Sequence, residues 1–123
     1  MATNGGRPVV LVVDDEPAIR LLCRVNLELE GYEVREAGSL AAARAALAAG
    51  DVAVVLLDVH IGFEDGVELL EELVGAEPPR PGVAVVSGST DVRLAEYRRA
   101  DTVLAKPFTI EELTATVRAL ASR

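Results

Sequence analysis

Val52-Ala53-Val54-Val55-Leu56-Leu57-Asp58 runs six apolar residues into a single carboxylate. An unbroken apolar stretch of this length, with no alternation of polar and apolar positions, predicts a strand covered on both faces, as in a parallel sheet. Three other runs share the design. Val9–Val13 leads into Asp14 and Asp15, Val83–Val86 into Ser87, and Thr102–Ala105 into Lys106 and Pro107. Helical stretches separate them, the pattern of strand–helix–strand units. Sheets of this kind place ligands just beyond the carboxyl ends of their strands. Three carboxylates, one hydroxyl and one ammonium, spread from position 14 to position 106, are therefore expected at one rim.

The remaining elements follow from periodicity and from capping residues. Pro8 to Val13 forms the first strand, and Pro17 suits the first turn of a helix capped by an aspartate just before it. Ile19, Leu22, Val25 and Leu29 recur at helical spacing, and Gly31 is placed to end that helix in a left-handed turn. Tyr32 to Ala37 is a short second strand. Ser39 caps an Ala-rich second helix that stops at Gly50, ahead of the central strand Val52–Asp58. Asp65 with Glu68 reads as a capping pair for a third helix through Val74. A short fourth helix is expected over Asp91–Arg99. Thr109 with Glu112 caps a fifth, whose Ile110, Leu113, Val117 and Leu120 share one face. Five strands alternating with five helices, joined by right-handed crossovers, make a doubly wound α/β sandwich.

Bulk properties narrow the function. The 123 residues suit one domain, expected over residues 8–121 behind a short mobile tail, Met1–Arg7. The lone cysteine, Cys23, rules out an internal disulfide and a cysteine metal cluster, and beside Leu22 it reads as a small core residue. A net charge of −8 argues against unaided nucleic-acid binding and against docking on an anionic membrane. No apolar stretch reaches the roughly 20 residues of a membrane span, and the N-terminus lacks the apolar core of a secretory signal. A cytoplasmic location is the expectation.

Asp14, Asp15 and Asp58 could each cap a helix singly. Three at neighbouring strand ends repel one another unless a cation neutralises them. Hard oxygen donors without a His or Cys cluster favour Mg²⁺, in the form of site usually used to handle phosphate. His60 is the sole histidine, and one imidazole beside oxygen ligands is not a metal cluster. Lys106 precedes a proline, which holds it extended and fixes where it points. The Ser87 hydroxyl can donate to an anionic oxygen. There is no phosphate-binding G-x-x-x-x-G-K-[ST] or G-x-G-x-x-G loop.

Together these residues resemble the receiver domain of two-component response regulators. Val12-Val13-Asp14-Asp15-Glu16-Pro17 is similar to that family's first-strand acidic motif. Asp58 through Gly66 is similar to its phosphorylation loop, typically D-x-x-M-P-x-M-D-G. Val86-Ser87-Gly88 and Lys106-Pro107-Phe108 resemble its fourth- and fifth-strand motifs. The resemblance covers about residues 8 to 121. It implies a flavodoxin-like fold of strand order 2-1-3-4-5, carried over from the resemblance. It also implies that Asp58 accepts a phosphoryl group from a phosphohistidine. Mg²⁺ would be held by Asp15, Asp58 and the backbone carbonyl of His60, with Asp14 acting through a water. Lys106 and Ser87 would hold the phosphoryl oxygens. The domain would catalyse only its own phosphorylation and dephosphorylation, as a signalling module. Its donor would be a histidine kinase or histidine-phosphotransfer protein. An output protein, or a second copy of the chain, would read the face of the fourth helix, fifth strand and fifth helix.

Three departures stand out. Val103 occupies a place where the family usually carries an aromatic ring that moves during switching. The segment between Ser87 and Lys106 is shorter than is common, and Tyr97 within it is either core or a substitute for the missing ring. Gly62 stands where the family has proline, so a looser loop is expected there. These changes favour the alternative of a receiver-like module that binds partners constitutively, without phosphorylation. A haloacid-dehalogenase-type phosphatase is disfavoured, since neither Asp14-Asp15-Glu16 nor Asp58-Val59-His60 has that family's Asp-x-Asp form.

Overall fold

In the computed structural model, which describes residues 6–88 and 97–122, odd and even residues of the central strands point into two different cores. The elements are β1 (Val9–Val13), α1 (Pro17–Leu29), β2 (Glu33–Ala37), α2 (Leu40–Ala48), β3 (Val52–Asp58), β4 (His60–Ile61), β5 (Glu64–Asp65), α3 (Val67–Val74), β6 (Gly82–Gly88), β7 (Thr102–Lys106) and α4 (Ile110–Ala121). Leu11, Val55, Leu57, Val83 and Val85 pack under α2 and α3 with Leu40, Leu69, Leu70 and Tyr97. Val10, Val12, Val54, Leu56 and Ala84 pack on the other face with Cys23 and Leu27 of α1 and Leu113, Val117 and Leu120 of α4. Strands buried on both faces need apolar side chains at every position, which is why β1, β3 and β6 read as unbroken runs.

The five parallel strands lie in the order β2-β1-β3-β6-β7, which is 2-1-3-4-5 when the strands of this sheet alone are counted. Helices cover both faces, so the doubly wound α/β architecture expected of the sequence is present. Four helices are seen among the described residues. The additional helix expected over Asp91–Arg99 falls mostly outside them; of that span Tyr97–Arg99 is described, where the Ala100 N–H closes a turn onto the Tyr97 carbonyl at 3.0 Å. Tyr97 is almost fully buried against the sheet, as an aromatic on a short segment usually is. The expected tail residues 1–5 also lie outside the described part.

Local signals operate as the residue types dictate, with two corrections. Gly31 follows α1 at φ +94°, a conformation in which a β-carbon is unfavourable. Ser39 accepts the Ala42 N–H, and Thr109 with Glu112 forms a complete capping box. The cap of α1 is different from that expected. Glu16 occupies the N-cap without a side-chain bond, while Asp14 turns its Oδ1 onto the Glu16 N–H at 2.9 Å. The Asp65–Glu68 capping pair is not formed, because Gly66 is the N-cap of α3 and no side chain caps it. Asp65 accepts the Val67 N–H at 3.0 Å, but Glu68 reaches across to Arg44 of α2 at 3.0 Å. An opposite charge on the neighbouring helix competes with the backbone for that carboxylate.

Strands β4 and β5 were not anticipated. His60–Ile61 pairs antiparallel with Glu64–Asp65, leaving Gly62 and Phe63 as a two-residue turn. Gly62 sits at φ +59° and Phe63 is not in the positive-φ region, the arrangement of a hairpin turn with glycine first. The loop after Asp58 is thus a paired hairpin and not the loose segment expected of Gly62.

Candidate functional site

The register of the sheet builds the site. Val13 lies beside Leu57, Asp58 beside Val86, and Ser87 beside Ala105. Each of Asp14, Ser87 and Lys106 is one residue past, or level with, a neighbour at the carboxyl end. Side chains that are far apart in sequence therefore share one rim. Asp14, Asp58 and Ser87 are the buried polar residues of the described chain, at 2%, 6% and 2% exposure.

Two of these carboxylates are held in the same way. Asp14 Oδ1 accepts the Glu16 N–H at 2.9 Å and Asp58 Oδ1 accepts the His60 N–H at 3.0 Å, each a turn two residues long. Their remaining oxygens converge on Lys106. Its Nζ donates to Asp58 Oδ2 at 3.0 Å and to Asp14 Oδ2 at 3.3 Å. Burial raises the Asp14 pKa above the ordinary carboxylate value; the Glu16 N–H opposes that, the Asp58 charge adds to it, and Lys106 offsets it in part. Burial pulls the Lys106 ammonium down, but its hydrogen bond to Asp58 and the charges of Asp58 and Asp14 outweigh this, and its net shift is upward. The site is a concentration of buried negative charge that one ammonium neutralises incompletely.

Asp15 is exposed and stands on the turn after β1. Its Oδ2 accepts the Gly62 N–H at 3.0 Å, which ties it to the hairpin that follows Asp58. One oxygen each from Asp14, Asp15 and Glu16 lies within 4.8 Å of the others, a spacing that a hard cation can bridge. That group is one buried and two exposed carboxylates and does not include Asp58; its donors are all oxygen, which fits Mg²⁺. Ser87 is the penultimate residue of β6, opposite Ala105 of β7 and one position before the Gly88–Lys106 pair, and its hydroxyl donates to the Gly88 carbonyl at 3.3 Å. The Lys106–Pro107 peptide is cis.

The structure also brings in residues that sequence reading left out. Arg20 Nη1 donates to the Asp14 carbonyl at 2.6 Å while its Nε donates to Glu36 at 3.1 Å, so α1 clamps the acidic turn. Nothing in helical spacing marks this contact. The Gly62 contact is equally unmarked, because a hairpin of two-residue strands leaves no period from which its glycine-first turn could be read. The larger concavities lie elsewhere. One of about 750 Å³, walled by Asp51, Pro78–Gly82 and Leu120, is at the opposite end of the sheet and gathers none of these groups.

Residues 10–118 match a family model described as the response regulator receiver domain. The chain is 35% identical over 116 residues to the transcriptional regulatory protein KdpE of Mycobacterium tuberculosis, covering 94% of this chain and 51% of that protein. Among solved structures it resembles the receiver domain of NtrX from Brucella abortus, with a TM-score of 0.83 at 32% identity over 92% of this chain and 98% of that one. A signal receiver domain of an HD domain-containing protein from Pseudomonas fluorescens superposes with a TM-score of 0.86 at 25% identity, covering 99% and 92%. The chain spans about half the length of the curated relatives it matches. No helix among the described residues is long and apolar enough to cross a membrane.

Proposed function

Since the chain belongs to the response regulator receiver domain family, a family of phosphoacceptor signalling modules, we propose that Asp58 is its phosphoacceptor. The donor is a phosphohistidine on a histidine kinase or histidine-phosphotransfer protein. An Asp58 carboxylate oxygen attacks phosphorus, the P–N bond breaks, and its electron pair returns to the donor imidazole. An aspartyl phosphate results. The observation that carries the reading is the Lys106 ammonium bridging Asp58 and Asp14, residues 48 and 92 positions away.

The roles follow from charge and placement. Phosphoryl transfer asks a protein mainly to position groups and to stabilise negative charge spreading over the phosphoryl oxygens. Lys106 supplies one positive charge at the Asp58 oxygen. Ser87, at the adjacent strand end, supplies a hydroxyl donor. Asp15, Asp58 and the His60 carbonyl would hold Mg²⁺ directly, with Asp14 holding it through a water. When bound, the ion adds positive charge against the phosphoryl oxygens. The Asp58 backbone is held by β3, and its Oδ1 by the His60 N–H, so the nucleophile is oriented before the donor arrives.

The same reading takes residues 8–121 as one receiver unit acting in the cytoplasm and catalysing only its own phosphorylation and dephosphorylation. Its output surface comprises β7, α4 and the segment before β7, read by an output protein or by a second copy of the chain. Incubation with Mg²⁺ and acetyl phosphate, followed by intact-mass measurement, tests the proposal. A gain of one phosphoryl group that is absent in Asp58→Asn supports it. An unmodified wild-type chain would leave the constitutive binding module in its place.

A further inference from the structure

The turn of the β4–β5 hairpin contacts the acidic rim through a backbone group. Gly62 donates its N–H to Asp15 Oδ2 at 3.0 Å, across 47 positions of sequence. We propose that this N–H is a positioning group for the metal ligand Asp15, holding the carboxylate so that its free lone pairs are ready for the divalent ion. The inference rests on the reading of Asp15 as a ligand.

The donor is well anchored. The Gly66 N–H bonds the Val59 carbonyl at 2.8 Å, the Leu40 N–H bonds Glu64 Oε1 at 3.1 Å, and the His60 N–H bonds Asp58 at 3.0 Å. The hairpin is therefore fixed to α2, to the loop after β3 and to the phosphoacceptor itself. The acceptor needs such help, because Asp15 is exposed and its rotamers are otherwise free. A carboxylate has about four lone-pair positions, so one N–H leaves room for a cation. Hydrogen bonds that orient a ligating carboxylate typically contribute about 10- to 100-fold in metal affinity. Only a residue that tolerates φ +59° and keeps its N–H can do this. Proline can do neither.

Calorimetric titration of the full chain with Mg²⁺ alone tests the proposal in wild type, Gly62→Pro and Gly62→Asn. Asparagine tolerates the left-handed region and retains the donor. Gly62→Pro is expected to bind Mg²⁺ roughly tenfold or more weakly, with Gly62→Asn close to wild type. The Gly62 amide resonance should shift on Mg²⁺ addition with the calorimetric midpoint, and should lose its hydrogen-bonded shift in Asp15→Ala. If Gly62→Pro fails to fold, these amide measurements decide. Unchanged or tighter binding by a folded Gly62→Pro, or an amide indifferent to Asp15→Ala, overturns the proposal while leaving Asp15 as a ligand. No Mg²⁺ binding by the wild type overturns both.

Discussion

Lys106 does for two carboxylates what a bound cation would do. Its ammonium touches Asp58 and Asp14, both almost wholly removed from water, while about a quarter of its own side chain stays exposed. Removing one partner of such a cluster leaves charge that water cannot reach. Lys106→Met is therefore expected to destabilise the metal-free protein by about 1–3 kcal/mol, less than a fully buried pair would lose because of that partial exposure. Chemical denaturation at neutral pH measures it. An unchanged midpoint would mean that solvent or another group already neutralises the pair.

The acidic turn depends on α1 and on the hairpin. Arg24 and Arg20 hold Glu36 of β2, and chiefly through the Arg24 hydrogen bond they lower its pKa below the ordinary value of 4.5. A carboxylate with a lowered folded pKa contributes stability that is complete above its unfolded value and is lost as pH falls through the lowered one. Glu36→Gln should thus unfold at lower temperature than wild type at pH 7, and the gap should close as the pH falls below about 4. A gap that persists in acid would assign the effect to packing. At the hairpin, a β-carbon on Gly66 would lie 2.6 Å from the Asp58 carbonyl and 2.8 Å from Val59 Cα, both backbone atoms that cannot swing aside. Gly66 has an ordinary helical φ of −64°, so the constraint is close approach alone. Gly66→Ala should cost about 1–3 kcal/mol in thermal unfolding and slow acetyl-phosphate labelling, because relief of the clash moves Asp58. A variant of wild-type stability and labelling rate would show that the approach relaxes freely.

These elements also show what the chain reveals in one dimension. β1, β3 and β6 were legible because two-sided burial demands apolar residues throughout, and α4 because one-sided burial imposes a 3.6-residue period. α1 was legible as a helix but not in its buried face, since Leu22, Val25 and Leu29 of the expected stripe are exposed and Cys23 and Leu27 turn to the core instead. The strand ends then located Asp14, Asp58, Ser87 and Lys106. The β4–β5 hairpin was not legible, since strands of two residues have no period to detect. The link from Gly62 to Asp15 depends on how that hairpin folds back over the rim. The Asp65–Glu68 pair failed as a capping box because α3 begins one residue later, with Gly66 at its N-cap, and Glu68 pairs with Arg44 of another helix.

At the scale of the whole molecule, the sheet turns a charge excess into a binding site. The chain carries a net charge of −8, and β1 and β3 deliver part of that excess to one buried rim, where β7 sets the single ammonium of Lys106 against it. The folded state bears this repulsion, while the unfolded state, with the same carboxylates solvated and far apart, does not. A ligand that binds the folded state alone stabilises it by mass action, about 2.7 kcal/mol at a hundred times its dissociation constant. For a domain of this size that is a rise in melting temperature on the order of 10 °C. Mg²⁺ is accordingly expected to raise the melting temperature at neutral pH well beyond an equal ionic strength of Na⁺. Asp14→Asn should start from a higher metal-free melting temperature, because it removes a carboxylate charge that burial disfavours, and should gain less from Mg²⁺. Scanning calorimetry of both proteins with and without Mg²⁺ checks this. Equal Mg²⁺ gains in the two would show that Asp14 has no part in holding the ion, and a lower metal-free melting temperature in Asp14→Asn would show that the hydrogen bonds to Glu16 and Lys106 outweigh the buried charge.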